Sequence, residues 1–291
     1  MNAPVPSKPS EVKDWCISNG FHPNKTLGQN FLIDGNTIEA ILDAAGVKED
    51  SRVLEVGPGL GALTHAMLSR GAHVTAVEKD VRLAELLSHA CACDRFKLIT
   101  ADMLEVPLDD LLAENFDVFV SNLPYSVGTR ILLDVSRHAL APKLCVVMVQ
   151  REVAERFAAK PGDDARGLAG VWVQADYKVE LMRTVRPTCF WPRPEIASTV
   201  VRLTRHSEPS MESDVRKAFE DASKLAFSHR RKQIFSVFRQ SLALLGLADE
   251  AAVASWLADS GIDPKTRPES LSDEDWKALG EGLAARRKVV E

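Results

Sequence analysis

Paired cysteines are missing from this chain of 291 residues. Cys16, Cys91, Cys93, Cys145 and Cys189 make an odd number, and no two of them stand as C-x-x-C. That arithmetic argues against a disulfide framework and a cysteine-based zinc site, and for reduced thiols in a cytosolic protein. Long apolar runs are lacking too. The longest, at 144–149, falls far short of the ~18 residues that cross a bilayer. The opening M-N-A-P-V-P-S-K-P-S has no apolar stretch of a secretory signal, so the expected setting is the cytoplasm, away from any membrane. Nor is there a surplus of positive charge: Lys plus Arg is 36 against 41 for Asp plus Glu, a formal net charge of −5. A surface coated in positive charge is thereby excluded, although a local basic patch is not. What is present, 45% hydrophobic and 26% charged residues, is an ordinary globular composition. At ~150 residues per domain, the length predicts two domains.

From about Ser51 short β-rich runs alternate with amphipathic stretches. Residues 52–57, 73–78, 97–100, 116–121 and 143–149 read as strands, each bounded by a turn signal. Strands alternating with helices predict an α/β fold with a mostly parallel sheet covered on both faces. The texture changes after Thr204. R-H-S-E-P-S (205–210) reads as a linker, and helical patterns follow at 212–227, 230–246, 249–259 and 272–286. The expected division is a loose segment at 1–24, an α/β domain at 25–207 and a small all-helical domain at 208–291.

Charge is segregated within the last part. No acid occurs between residues 222 and 248, where Lys224, Arg230, Arg231, Lys232 and Arg239 supply five positive charges. From residue 249 to 282 nine acids stand against three bases. The net acidity thus conceals a basic stripe. Three consecutive cations cannot share one helix face, which suits a curved nucleic-acid backbone better than a single carboxylate partner. A solvated helix face is the plainer reading of the same run.

V-L-E-V-G-P-G-L-G (53–61) carries a strand into a Gly-rich turn at a helix start. Gly57, Gly59 and Gly61 permit a tight turn and close ligand approach without Cβ clashes. The helix N-terminus beyond favours polar or negative ligand groups. The spacing is G-x-G-x-G, not the dinucleotide pattern G-x-G-x-x-G. Glu78 ends the next strand, 21 residues after Gly57, where a carboxylate can hold ribose hydroxyls. With Glu55 ahead of the glycines, this set favours S-adenosylmethionine over a nicotinamide dinucleotide. Asp102, after the third strand, is placed to accept from the exocyclic amine of a bound adenine; taken alone it reads as a helix cap.

N-L-P-Y (122–125) follows the fourth strand. The lone pair of an adenine N6 is delocalised into the ring, so that amine is a poor nucleophile. The Asn122 side-chain oxygen and a backbone carbonyl can accept its two hydrogens and draw the nitrogen toward tetrahedral geometry. Tyr125 can stack on the base, and Pro124 stiffens the turn that holds both. In isolation the same residues read as an Asx-type turn with a core tyrosine. After a Gly-rich nucleotide site, at the right strand, the chemical reading is the stronger.

In these blocks the chain resembles the bacterial small-subunit rRNA adenine dimethyltransferases, the family linked to kasugamycin sensitivity. K-T-L-G-Q-N-F-L (25–32) resembles that family's N-terminal cofactor motif, V-L-E-V-G-P-G-L-G its Gly-rich loop and N-L-P-Y its catalytic motif. M-V-Q-R-E-V-A-E-R-F (148–157), F-W-P-R-P-E-I-A-S-T-V-V-R-L (190–203), A-F-S-H-R-R-K (226–232) and D-P-K-T-R-P-E-S-L-S (263–272) resemble further blocks, in family order. The resemblance implies a Rossmann-like S-adenosylmethionine-dependent methyltransferase sheet with a small C-terminal helical domain. It implies a cofactor site using Asn30, Leu32, Gly57, Gly59, Glu78 and Asp102, with Gln29 positioning the N-terminal segment over it. Asn122, Leu123, Pro124 and Tyr125 become the catalytic turn, with Asn122 beside the methyl group. Phe190 resembles the aromatic that sandwiches the target adenine against Tyr125, or is simply a core residue.

The implied reaction is double methylation of N6 on two adjacent adenines in a hairpin near the 3′ end of 16S rRNA. The implied partner is the small ribosomal subunit or its precursor, met by a monomer that needs no metal. The sequence departs from the family at Glu195, where a basic residue is usual, at Ala197, where an Asp is usual, and in its net acidity. Those departures bear on RNA contact rather than on methyl transfer. Two other readings stay open: a related 23S rRNA adenine methyltransferase, and a ribosome-assembly factor acting mainly by binding. A flavin or nicotinamide oxidoreductase is disfavoured by the glycine spacing and by N-L-P-Y.

Overall fold

A computed structural model of the chain describes residues 9–23, 28–207 and 211–290. Nine strands form among them: β1 (Phe31–Leu32), β2 (Arg52–Val56), β3 (His73–Glu78), β4 (Phe96–Thr100), β5 (Val118–Asn122), β6 (Leu144–Gln150), β7 (Tyr177–Val185), β8 (Phe190–Trp191) and β9 (Ser198–Arg205). Seven make one sheet in the order β4-β3-β2-β5-β6-β9-β7, and β1 with β8 is a separate antiparallel pair. β2 pairs parallel with β3 and β5, β3 with β4, and β5 with β6, while β9 runs antiparallel to β6. The near-continuous apolar runs of β5 and β6 are buried, as parallel strands covered on both faces require.

The strand order reverses between β2 and β5. At such a switch point the loops leaving the two strands diverge and open a crevice beyond their C-terminal ends. Here those loops are the Gly-rich turn and N-L-P-Y, far apart in sequence and adjacent in the sheet. The Ser121 hydroxyl donates to the Val56 carbonyl at 2.6 Å and ties the two strand ends together. Helices begin where the sequence supplies caps: Asp34 accepts from Thr37 N ahead of Gly35–Ala44, and Asp80 from Arg82 N ahead of Val81–Ala90. Each cap satisfies an amide that the first turn leaves unbonded.

Residues 9–18, expected to be loose, form a helix. Its Val12 and Cys16 are four residues apart and pack with Phe21, Phe31 and Leu60, an apolar stripe obscured by the surrounding prolines. The other parts of the loose-segment expectation, residues 1–8 and 24, lie outside the described residues, as do 25–27 of the N-terminal motif and 208–210 of the linker. β7, β8 and β9 have no counterpart in the sequence reading. β7 is an edge strand, exposed over most of its length, so its charged and apolar residues do not follow a core pattern.

The chain divides into two compact units, residues up to Ala154 with Lys178–Arg205, and Glu155–Tyr177 with His206 onward. The single cut expected at 207/208 therefore misses an inserted piece. Glu155–Tyr177 joins the helical unit because Val171 is buried in that unit's core and Trp172 Nε1 donates to Ser223 Oγ at 3.0 Å. Phe219, Phe238, Trp256 and Trp276 fill that core, with the rings of Phe238 and Trp256 stacked at 4.8 Å. At Gly280 a Cβ would stand 2.9 Å from Phe219 Cβ, so only glycine lets helix Asp273–Val290 lie this close to helix Ser213–Ser228.

The continuous helix expected over 230–246 is instead two short ones, Ile234–Phe238 and Leu242–Leu245. Ile234 N donates to Thr266 O at 2.8 Å and Phe235 N to Pro264 O at 3.3 Å. These amides, which a longer helix would bond internally, go to another loop. Among the described residues no helix is long and apolar enough to cross a membrane.

Candidate active site

The turn after β2 holds Gly57, Gly59 and Gly61 at φ of +67°, +60° and +86°, a region that side chains other than glycine rarely adopt. Space forbids them as well. A Cβ at Gly59 would lie 3.0 Å from the Phe31 ring, and one at Gly57 3.3 Å from Pro124 Cγ. The turn is thus wrapped by β1 on one side and N-L-P-Y on the other, and all three segments line one pocket.

Two carboxylates stand in that pocket. Glu78 accepts from Gly59 N at 3.1 Å and Asp80 N at 2.9 Å. Burial pushes its carboxyl above the usual range while those two amides pull it back. Glu55 is 1% exposed and accepts from the Thr64 hydroxyl at 2.6 Å. Burial pushes it up to about 8, the Thr64 bond opposes that, and the nearby Glu78 adds to it. A pocket walled by two acids that resist ionisation gains most from a cationic ligand.

A pH test follows. The folded chain keeps on Glu55 a proton that the unfolded chain releases near its ordinary value of 4.5. Between that value and about 8 the unfolded state binds fewer protons, so stability falls as pH rises through this window. Glu55→Gln keeps an acceptor for Thr64 and removes the titration. The variant's Tm should decline less than that of the wild type from about pH 5 to 8; parallel Tm profiles would reject a protonated Glu55.

Beyond β3 and β4 the wall is ionic. Asp102 accepts from Lys79 Nζ at 2.6 Å and from Leu104 N at 3.0 Å, and the Lys79 bond holds its carboxyl below the usual range. It therefore faces the pocket as an ionised acceptor with lone pairs to spare. Gln29 Nε2 donates to Asp80 Oδ2 at 3.1 Å, pinning the segment before β1 to the start of helix Val81–Ala90. Asn30 and Leu32, on the same segment, line the pocket with Gly57, Gly59, Glu78 and Asp102. The structure brings all seven expected cofactor residues before Asn122 to one cavity.

The N-L-P-Y turn completes it. Asn122 ends β5, and its Nδ2 donates to the Asn30 carbonyl at 3.0 Å. Its Oδ1 is buried with no partner among the described residues. A buried orphan acceptor costs ~1–3 kcal/mol, a cost accepted mainly where a ligand will fill it. Leu123 is buried and its N–H donates to Met148 O at 3.1 Å, while the Pro124 carbonyl accepts from Gly128 N at 2.7 Å. The turn is held from behind.

Tyr125 lines the same pocket, and its hydroxyl meets Ser198 Oγ at 2.6 Å. Burial pushes the phenol up, so it stays protonated. Ser198 thus fixes the tilt of the ring without touching the pocket itself. Ser198→Ala should cost several-fold in kcat, with cofactor affinity unchanged and Tyr125→Phe adding little on top. Additive losses in that double-mutant cycle would show that the two hydroxyls do not act as a pair.

Phe190 requires a correction. Expected across the target base from Tyr125, it is 1% exposed, packs in the main core with Ile38, Val185 and Val200, and does not line the pocket. In the β1–β8 ladder it sits opposite Leu32, a member of the same core, whereas Trp191 sits opposite Phe31 and joins another cluster. Strand alternation sends the two aromatics to different faces. Thr64, Lys79, Asp80 and Ser198 were missed by sequence reasoning, because each acts through a partner elsewhere in the chain. Only Asp80, a capping residue before V-R-L, left a local signal.

The basic stripe lies wholly in the helical unit and is not uniform. Arg230 donates to the Asp164 carbonyl at 2.7 Å, and Arg239 stands 3.6 Å from Glu250 and over the Phe235 ring. Those two are committed within the unit. Arg231, Lys232 and Lys224 are exposed.

Comparison with known proteins gives a consistent picture. A family model described as ribosomal RNA adenine dimethylase matches residues 20–281. A protein named ribosomal RNA small subunit methyltransferase A from Opitutus terrae is 38% identical over 283 residues, covering 94% of this chain and 98% of that one. One of the same name from Mycobacterium avium is 39% identical over 285 residues, covering 95% and 88%. Among solved structures, a dimethyladenosine transferase from Plasmodium falciparum shares the fold, with TM-score 0.72 at 22% identity over 86% of this chain and 95% of that one. The 23S rRNA methyltransferase ErmE superposes with TM-score 0.65 at 28% identity, over 87% and 99%.

Proposed function

Since the chain belongs to the ribosomal RNA adenine dimethylase family, we propose that it transfers methyl groups from S-adenosylmethionine to adenine N6 in small-subunit rRNA, twice per base. The substrate is a pair of adjacent adenines in a hairpin near the 3′ end of 16S rRNA, met in the small subunit or its precursor. The observation that carries this reading is the orphaned, buried Oδ1 of Asn122 in a pocket that Tyr125 also lines. An acceptor without a donor, beside an aromatic face, fits an exocyclic amine on a planar base.

The residues also fit the cofactor. Glu78, and Glu55 once a cationic ligand displaces its proton, offer two buried carboxylates, and the glycines let the turn pass close against Phe31 and Pro124. When bound, S-adenosylmethionine supplies a methyl group on a positively charged sulfur that is already a good leaving group. Glu78 would hold the ribose hydroxyls, and Asp102 would accept from the adenine amine. Asn122 Oδ1 accepts one N6 hydrogen of the target. The Pro124 carbonyl is already engaged by Gly128, which leaves the Leu123 carbonyl to accept the other. Both acceptors localise the lone pair on nitrogen, and the amine sheds a proton after each transfer. Rate therefore comes from positioning and hydrogen bonding, not from a base of matched pKa.

Arg231, Lys232 and Lys224 would contact the RNA backbone from the helical unit, with Arg230 and Arg239 shaping that surface rather than reaching out. The test is mass spectrometry of rRNA fragments after incubation of small-subunit precursor with enzyme and labelled cofactor. Dimethyladenosine in the 3′ region is the expected product. Its absence there would sink the reading.

A further inference from the structure

Within the α/β unit most cations are spoken for. Arg70, Lys79, Lys97 and Lys178 each sit against a carboxylate, and Arg205 bonds two carbonyls. Residues 181–196 differ. Arg183, Arg186 and Arg193 are exposed there, and none of the three enters an ion pair among the described residues. Glu195 is the sole acid of that stretch. The same stretch exposes three large apolar side chains, Leu181 at 46%, Met182 at 46% and Ile196 at 43%. In a chain of net charge −5, this local positive, partly apolar surface calls for a partner.

Its anchorage says where that partner must lie. Trp191 pairs with Phe31, and Ile33 N donates to Cys189 O at 2.9 Å. At the other end Ser198 holds the Tyr125 hydroxyl at 2.6 Å. Phe31 and Tyr125 both line the pocket, so the loop between β8 and β9 is moored at each end to a pocket wall. Arg193 follows Trp191 by two residues, a main-chain span of at most ~7 Å. Arg186 sits one tight turn before β8, its carbonyl accepting from Cys189 N at 2.9 Å. The Tyr125 side of the pocket is the side assigned above to the target base.

We propose that Arg186 and Arg193, with Ile196 on the same loop as Arg193, form an RNA-binding rim on the α/β unit that grips the strand flanking the target adenine. This rests on the RNA reading given above. Both cations are arginines, whose planar forks bond phosphates in pairs and stack on bases, as a lysine ammonium does not. Ile196, exposed on the same loop, offers apolar contact to unstacked bases and sugars. The rim is separate in sequence from the stripe on the helical unit, so the two can be tested apart.

The experiment measures binding of a hairpin RNA with two adjacent adenines by fluorescence anisotropy at two salt concentrations. Three proteins are compared: wild type, Arg186→Ala with Arg193→Ala, and Arg231→Ala with Lys232→Ala. The rim variant should bind ~10-fold more weakly, with a salt slope lower by ~1 to 2 as phosphate contacts are lost. Its Tm and S-adenosylmethionine affinity should match the wild type. Wild-type affinity and slope in the rim variant, with losses in the stripe variant, would overturn the rim alone. Failure of the wild type to bind the hairpin or the small-subunit particle would overturn the RNA reading and the rim with it. Weaker binding of the rim variant to the particle but not to the hairpin would place the partner of this surface elsewhere on the particle, again against the proposal.

Discussion

Asn122→Ala should reduce methyl transfer by ~10²-fold or more, the scale for removing one preorganised active-site hydrogen-bonding group, while cofactor affinity stays within a few-fold. The side chain has two jobs that the structure separates. Nδ2 ties it to the Asn30 carbonyl, and Oδ1 waits in the pocket, buried and without a partner among the described residues. The first bond fixes which way the amide faces, so the second atom needs no reorganisation when the amine arrives. Asn122→Asp should fail for a related reason. It keeps acceptor oxygens but sets a carboxylate against the Asn30 carbonyl with no hydrogen between them. Single-turnover rates with saturating RNA, together with calorimetric titration of S-adenosylmethionine, check both variants. A near wild-type rate in Asn122→Ala would dismiss the N6-activation account.

Glu78→Ala should act on the other axis and weaken cofactor binding by roughly 10- to 150-fold, the equivalent of ~1.5–3 kcal/mol for charge-assisted hydrogen bonds. The truncation removes the proposed ribose acceptor and also strands two amides, Gly59 N and Asp80 N, that the carboxylate now satisfies. Gly59 belongs to the Gly-rich turn and Asp80 to the cap that receives Gln29, so three parts of the cofactor wall loosen together. Glu78→Gln should recover part of the loss, since its one remaining oxygen can satisfy only one of the two amides. Calorimetry with Tm measured alongside separates weaker binding from unfolding. Unchanged affinity in a folded Glu78→Ala protein would reject the assignment.

How much of this was legible before any coordinates follows from the range of each signal. β2, β3, β5 and β6 were readable because their apolar runs are short, dense and bounded by turns, the pattern that burial on both faces imposes. β4, an edge strand with no buried residue, was read from its short β-rich run and flanking turns. β7 was not, because an edge strand with exposed residues carries no burial pattern. Residues 230–246 read as one helix because local periodicity is all a sequence shows. The bonds that break it, from Ile234 and Phe235 to the loop at 264–266, cross about thirty residues of chain. The insertion of Glu155–Tyr177 into the helical unit was hidden for the same reason: Trp172 and Ser223 are 51 residues apart.

The sequence by itself determined the chemistry. The glycine spacing, the acids within β2, at the end of β3 and just after β4, and the N-L-P-Y turn are local motifs, whose backbone requirements and functional groups are written in a few adjacent residues. Tertiary structure alone decided which groups share a wall and in what state. It placed the β2 and β5 loops at one switch point, buried Glu55 until it favours its proton, left Asn122 Oδ1 without a donor among the described residues, joined Tyr125 to Ser198 across 73 residues and withdrew Phe190 into the core. Burial, hydrogen-bond satisfaction and facing depend on neighbours supplied by the rest of the chain, and no local pattern encodes them.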